Sequence, residues 1–270
     1  MKRASGNSRQ FGFTLIELLT ALGIFLLVCG IAFTLLGTSQ QRYQTESQVL
    51  TSFQEARLAL DQIVRDVNDA GYPPSTYVST DFNSFATAPF PWSPGYPTPG
   101  NPSGTACTIG TGGGGSCTAP GDWDLIVETN PNGPGAPVQW IRYSLQGTTL
   151  MRGTVPKAYG NDPASYTTAN ATLAPFVQNV VNNSSAAQIA QYQAIYAGMF
   201  PGGIPMPIFS FTCDTGNVPT ACPLAGTANA PINIRDVIVT LIVAAPLPDA
   251  ATGQPRLVQL HGRGRRVNPN

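Results

Sequence analysis

The stretch GFTLIELLTALGIFLLVCGIAFTLL, Gly12 to Leu36, carries one charged side chain, Glu17, and constrains the chain more than any other. A bilayer core about 30 Å thick is spanned by about 20 predominantly apolar helical residues, and Phe13 to Leu36 is long enough. An acid inside such a span costs about 2.5–3.5 kcal/mol by insertion scales. Glu17 therefore asks for a compensating partner.

The order of segments around this span is informative. Residues 1–12 are polar and basic, with Lys2, Arg3 and Arg9 and no acid, and they contain no apolar segment of their own. A secretory leader has its apolar region before the cleavage point; here it follows. A cut after Gly12 would leave the anchor in place and create a new amino terminus on Phe13, cationic at neutral pH with a typical pKa of about 7.7–8. That charge would lie four positions before Glu17, one helical turn away, and the helix dipole also favours an acid in the first turn.

Gly12-Phe13-Thr14-Leu15-Ile16-Glu17-Leu18 resembles the cleavage and methylation motif of type IV prepilins and type II secretion pseudopilins. The resemblance implies that a membrane prepilin peptidase cuts between Gly12 and Phe13 and methylates the amino group of Phe13. It further implies that Glu17 pairs with the amino terminus of a neighbouring subunit during filament assembly. Basic residues ahead of the span, with Arg42 the first charge after it, orient the amino terminus toward the cytoplasm. The expected location is the inner membrane, single-pass, with a periplasmic head before assembly and a place in the pilus at the cell surface afterwards.

The helical pattern continues past the membrane. Phe53, Ala56, Leu60, Ile63, Val64 and Val67 recur at three- and four-residue steps, while Glu55, Arg57, Asp61, Arg65 and Asp66 take the other positions. One nearly continuous helix from Phe13 to Ala70 is expected, about 85 Å long at 1.5 Å per residue. Gly71-Tyr72-Pro73-Pro74 ends it. Pilins often carry a helix-loosening proline where this chain has Thr34; Gly23, Gly30 and Gly37 are its candidate weak points, or else sites of close helix packing. The stretch Glu55 to Tyr72 is similar to the helix end of PilW-type minor pilins and the related J-type pseudopilins.

Four segments follow: a leader, 1–12; the membrane and filament-core half of the helix, 13–37; its amphipathic half, 38–72; and a β-rich head, 73–270. With 28 glycines, 25 prolines and only 10% charged residues, the head is expected to be rich in loops. Strand patterns occur at Leu125–Glu128, Val138–Ser144 and Thr148–Val155, separated by turn sequences that suggest an antiparallel meander. Residues 157–207 read as an insertion holding a short helix, Ala186 to Tyr196, capped by Ser185 and Gln188. Later strands are expected at Ile208–Thr212, Val237–Ala244 and Leu257–Leu260, the middle one apolar enough to be covered on both faces. The fold class is α+β: a long amino-terminal helix packed on an antiparallel sheet with large loop insertions, which is also the pilin-like fold the resemblance implies.

Beyond Cys29 in the anchor, the cysteines form two close pairs, Cys107 with Cys117 and Cys213 with Cys222. In an oxidising compartment such pairs become disulfides, although four cysteines allow three connectivities. Zinc is the competing reading, but neither pair has a zinc-site spacing. Asp214 and Asn217 in the second loop are too few ligands for Ca²⁺, so no metal and no cofactor is expected. Gly112–Gly115 lacks the Lys and Ser or Thr of a phosphate loop and reads as the interior of the first cysteine loop.

Catalytic residues run short. Any nucleophilic site would be built around the single histidine, His261, and Asp122 with Asp124 read as loop and strand-end charges. No enzyme is expected. Three of the 14 Lys and Arg lie in the leader, leaving 11 against 14 acids in the processed chain, so bulk charge gives no support to nucleic-acid binding. Arg263, Arg265 and Arg266 read as a solvated terminus.

The functional expectation is a minor pilin taking part in pilus assembly or initiation, with twitching motility as its readout. The alternatives are a type II secretion pseudopilin and a filament-displayed adhesin or binding module serving cell adhesion. The implied partners are the prepilin peptidase, other major and minor pilins, the inner membrane and the pilus assembly platform.

Overall fold

The computed structural model describes residues 12–76, 81–110, 115–133, 135–214, 219–222, 229–249 and 252–267. The leader up to Phe11, Gly112–Gly114 and Asn217 lie outside the described residues. By packing, the chain divides into two units, Met1–Ser47 and Gln48–Asn270. Helix α1, Leu15–Asn68, begins in the first and ends in the second, and its 54 residues match the expected helix to within two residues at each end. It runs unbroken through Gly23, Gly30 and Gly37. At Thr34 the hydroxyl donates to the Ile31 carbonyl at 2.7 Å.

In the first unit the side chains from Phe13 to Leu36 are exposed on all sides of the helix, Leu15, Ile16, Leu18, Leu19, Phe25 and Phe33 among them. A helix apolar all round is made for hydrocarbon or for partner helices rather than for one side of a globular core. It is the one helix among the described residues long and apolar enough to cross a membrane.

In the second unit α1 presents a buried apolar stripe of Ala56, Ala59, Leu60, Ile63 and Val67, which Ala70 continues just past the helix end. The chain then turns sharply at Gly71, whose φ of +83° is left-handed; its N–H donates to the Glu128 carbonyl at 2.9 Å. Glycine takes this conformation without the steric cost a β-carbon would add.

The head contains two four-stranded antiparallel sheets where the sequence pointed to one sheet. The first is the expected meander: β1, Asp124–Thr129, β2, Gln139–Gln146, and β3, Thr149–Pro156, in that order, with β4, Ala174–Val177, on the far side of β3. The second has β5, Phe209–Asp214, between β6, Pro219–Ala221, and β7, Ile234–Pro248, with β8, Pro255–Arg265, on the outer edge of β7. Along β7 the residues from Val239 to Ala245 are all buried, as expected for a strand covered on both faces.

The insertion is more structured than its sequence suggested. Besides α3, Ala186–Ile195, capped by Ser185 as expected, it holds β4 and a further helix α2, Pro163–Asn170. Asp162 caps α2, its side chain accepting from the Ser165 N–H at 2.8 Å. An Asp-Pro start is a helix signal in its own right; the surrounding Ser, Thr and Asn mask it.

The α1 stripe, the apolar faces of β1, β2 and β3, and those of β5 and β7 form one core that includes Leu125, Val127, Ile141, Tyr143, Phe209, Phe211, Val237 and Leu241. Strand β8 reaches α1 through two glycines. A β-carbon at Gly262 would lie 2.7 Å from Leu60 Cδ1, and one at Gly264 would lie 2.5 Å from Val67 Cγ1 and 2.6 Å from Val67 Cβ. The absence of side chains at alternate positions lets strand and helix meet backbone to side chain.

Gly264→Val is expected to destabilise the head by about 1–3 kcal/mol through overpacking against Val67, whose branched β-carbon cannot swing away. Thermal unfolding of the detergent-solubilised protein reads this as a fall in Tm of about 2–4 °C per kcal/mol. An unchanged Tm would refute the close approach of β8 to α1.

Candidate functional site

Residues 12–14 precede the helix in non-helical backbone, and Gly12 and Phe13 are both exposed. The Gly12–Phe13 peptide is therefore outside the i to i−4 hydrogen-bond ladder, which is what a peptidase needs to engage it. The first turn is organised by Thr14 and Glu17. The Glu17 N–H donates to Thr14 Oγ1 at 3.3 Å, while Glu17 Oε2 accepts from the Thr14 N–H at 3.0 Å and from its hydroxyl at 2.9 Å. The Leu18 N–H closes the first turn on the Thr14 carbonyl at 3.2 Å.

This reciprocal arrangement is a capping box. Its signature, Thr-Leu-Ile-Glu from Thr14 to Glu17, stands in the sequence within the longer apolar run. Glu17 has a partial answer before any cleavage: its carboxylate satisfies a helix-terminal donor one residue from Phe13.

The family model for the prokaryotic N-terminal methylation motif matches residues 7–33. No curated protein and no solved structure matches the chain. The chain thus carries a prepilin-type amino terminus, which supports a type IV pilin or pseudopilin and points to processing by a prepilin peptidase and to membrane association. The long apolar helix fits the anchoring of a prepilin.

In the head, Cys107 and Cys117 are disulfide-bonded, with Cα atoms 5.1 Å apart, and Cys213 and Cys222 likewise at 4.8 Å. Cys29 is free and half-buried. His261 lies within β8 rather than at its end, its Nδ1 3.1 Å from the Thr240 hydroxyl on β7. Asp124 starts β1 and is gripped by Arg142, whose Nε lies 3.0 and 3.2 Å from its two oxygens and whose second guanidinium nitrogen lies 2.5 Å away. Burial pushes the Asp124 carboxyl up from its ordinary range, and Arg142 and Ser144 act against that shift. Arg142 also donates to the Ala164 carbonyl at 2.8 Å, so the pair fastens α2 to the sheet.

Two assignments from the sequence are corrected. Asp66, placed on the solvent side of α1, is buried: it accepts from the Tyr143 hydroxyl at 2.5 Å, from Arg152 at 3.0 Å and from Gln62 at 2.7 Å. Its position three residues after Ile63 and four before Ala70 already put it on the buried stripe. Burial and the Asp66 charge together push the Tyr143 phenol well above its usual range. Of the three carboxy-terminal arginines Arg265 is exposed, but the other two are not simply solvated. Arg263 pairs with Asp236 at 2.7 Å and Arg266 approaches Asp214 at 3.7 Å.

The most buried charge pair among the described residues has no signature in the sequence. Glu128 and Lys157, both with fully inaccessible side chains, meet at 2.7 Å. Glu128 also accepts from the Tyr96 hydroxyl at 2.5 Å, Trp140 Nε1 at 3.1 Å and the Thr87 N–H at 2.5 Å. Lys157 also donates to the Phe85 carbonyl at 2.9 Å and the Thr87 hydroxyl at 2.5 Å. The partners come from three separated parts of the chain, and no local pattern announces such a meeting.

Lys157→Met strands a buried carboxylate and is expected to cost about 3–5 kcal/mol, while the double variant Lys157→Met with Glu128→Gln recovers a large part of that loss. Urea unfolding of the two variants checks the order. If the double variant were as unstable as the single one, an unpaired charge would not be the source of the loss.

Proposed function

We propose that this chain is a minor pilin of a type IV pilus system, of the PilW type, which enters or initiates the filament through its processed amino-terminal helix. The observation that carries the reading is the prepilin-type motif over residues 7–33 leading directly into a 54-residue helix whose far end is packed into a β-rich head. In this reading the peptidase cuts the exposed Gly12–Phe13 bond and methylates Phe13. Glu17 then serves as the assembly contact, exchanging its capping bonds to Thr14 for the amino terminus of a neighbouring subunit. The four segments 1–12, 13–37, 38–72 and 73–270 act as leader, anchor, spacer helix and displayed head. The partners are the prepilin peptidase, the assembly platform and other pilins, first in the inner membrane and then in the pilus.

The large head supports a minor rather than a bulk subunit. Its insertion adds α2, β4 and α3, of which β4 enters the core shared with α1 through Val177 while α2 and α3 pack into separate clusters. The same head would suit a displayed binding module.

Gly12→Val is expected to abolish processing, so that mass spectrometry of the membrane fraction finds residues 1–12 retained and no methyl group on Phe13. Deletion of the gene is expected to remove surface pili and twitching while leaving protein secretion intact. The opposite pattern would replace the pilus assignment with a secretion pseudopilin, and normal processing of the Gly12→Val chain would refute the cleavage site.

A further inference from the structure

The ends of three strands in the second sheet bring an excess of positive charge to one place. Asp214 closes β5, Arg235 lies at the start of β7, and Arg265 and Arg266 lie at the end of β8. With Val267 they line a surface pocket of about 380 Å³. Among the described residues that line the pocket Asp214 is the one carboxylate, held by Arg235 at 3.0 Å and approached by Arg266 at 3.7 Å. The next acid along the sheet, Asp236, is engaged with Arg263 at 2.7 Å and the Thr212 hydroxyl at 2.7 Å. Four arginines thus face two carboxylates, and the surplus of two charges falls on the pocket.

Two of the three guanidinium groups lining the pocket are held in place, that of Arg235 by Asp214 and that of Arg266. Arg266 donates to the Ile232 carbonyl at 3.1 Å, which fixes its head group, and its side chain is largely buried. Burial weakens its hold on its proton, an effect that Asp214 opposes and the neighbouring Arg235 reinforces. The Arg265 backbone N–H is bound by Asn68 Oδ1 at 2.8 Å, while its exposed guanidinium has no ion pair or hydrogen bond among the described residues. Like charges held this close are favourable only with a counter-charge between them.

We propose that the pocket formed by Arg235, Arg265 and Arg266 binds a doubly charged phosphate group. Three planar forks around a concave site match the oxygens of a phosphate dianion, which arginine grips in pairs of parallel hydrogen bonds. Asp214 is the internal competitor: it occupies Arg235 in the empty pocket and is displaced or screened when the anion enters. A dianion offsets the surplus of two charges, whereas a phosphodiester leaves half of it. The site therefore selects a terminal phosphate, free or on a monoester, over the diester backbone of a polymer.

The test uses the full-length protein in neutral detergent at pH 7.5 and fixed ionic strength, titrated by calorimetry with inorganic phosphate and separately with dimethyl phosphate. Phosphate is expected to bind at least about fivefold more tightly than the diester, because charge-assisted pairing scales with the ligand's charge. Arg265→Gln, which removes no structural bond of that side chain, is expected to weaken phosphate binding about fivefold or more. Asp214→Asn is expected to tighten it about threefold or more by removing the competitor, an effect opposite in sign to any loss of folding. Circular dichroism and the two intact disulfides confirm that each variant is folded. Absence of phosphate binding, equal affinity for the diester, or an Asp214→Asn variant that binds no more tightly than the parent would overturn the proposal.

Discussion

The contact on which the head depends is the seam between the last four turns of α1 and the two sheets. It is apolar in the main, with Ala56, Leu60, Ile63 and Val67 entering a core shared with β1, β2, β5 and β7. Two features fix its register. Gly262 and Gly264 let β8 lie directly on Leu60, Val64 and Val67, and Asp66 binds Tyr143 and Arg152 across the seam. An apolar stripe alone tolerates sliding by a turn; a buried carboxylate with two fixed partners does not, because any slip would strand it without its hydrogen bonds.

The amino-terminal end of the same helix has the opposite character. From Phe13 to Leu36 its apolar side chains other than half-buried Cys29 are exposed, so lipid or neighbouring helices must cover them. One sequence element thus carries two kinds of helix, one complete within its own chain and one that calls for an environment. Glu17 sits at the start of the second kind. Its capping bonds to Thr14 make the acid tolerable at the helix terminus and hold it beside the residue that cleavage would turn into an amine.

Much of this was legible because it rests on local rules. The helix ends, the meander of β1 to β3 and the Ser185 cap of α3 follow from periodicity, turn residues and a capping pattern that act over a few residues. The motif at Gly12 to Leu18 is local as well. What stayed hidden depends on partners distant in the chain. Whether Asp66 is solvated or buried is decided by Tyr143 and Arg152, and Glu128 reads as the last residue of a strand until Lys157 is placed beside it. That the later strands form a sheet of their own was hidden in part for the same reason, since β7 pairs with β5 across a connection that holds β6, although its pairing with β8 is a local hairpin. The arginine pocket also forms only when three strand ends converge.

The buried Glu128–Lys157 pair explains how a chain with so many glycines and prolines keeps a defined head. Residues 81–110 form no strand or helix, and a structureless loop of that length is uncommon in a compact domain. Glu128 reaches into this loop at Thr87 and Tyr96, its N–H donates to the Pro89 carbonyl at 3.0 Å, and Lys157 holds the Phe85 carbonyl. Asn229 takes the backbone of Ile109 by both its N–H and its carbonyl, at 2.9 and 3.1 Å, while Trp92 and Tyr96 pack with Trp140 in a core of their own. The loop's polar backbone groups are thus satisfied by buried side chains instead of by a neighbouring strand. Such a solution adds little net stability compared with an apolar core. It does select one path for the loop among many, since every alternative leaves a buried donor or acceptor unpaired.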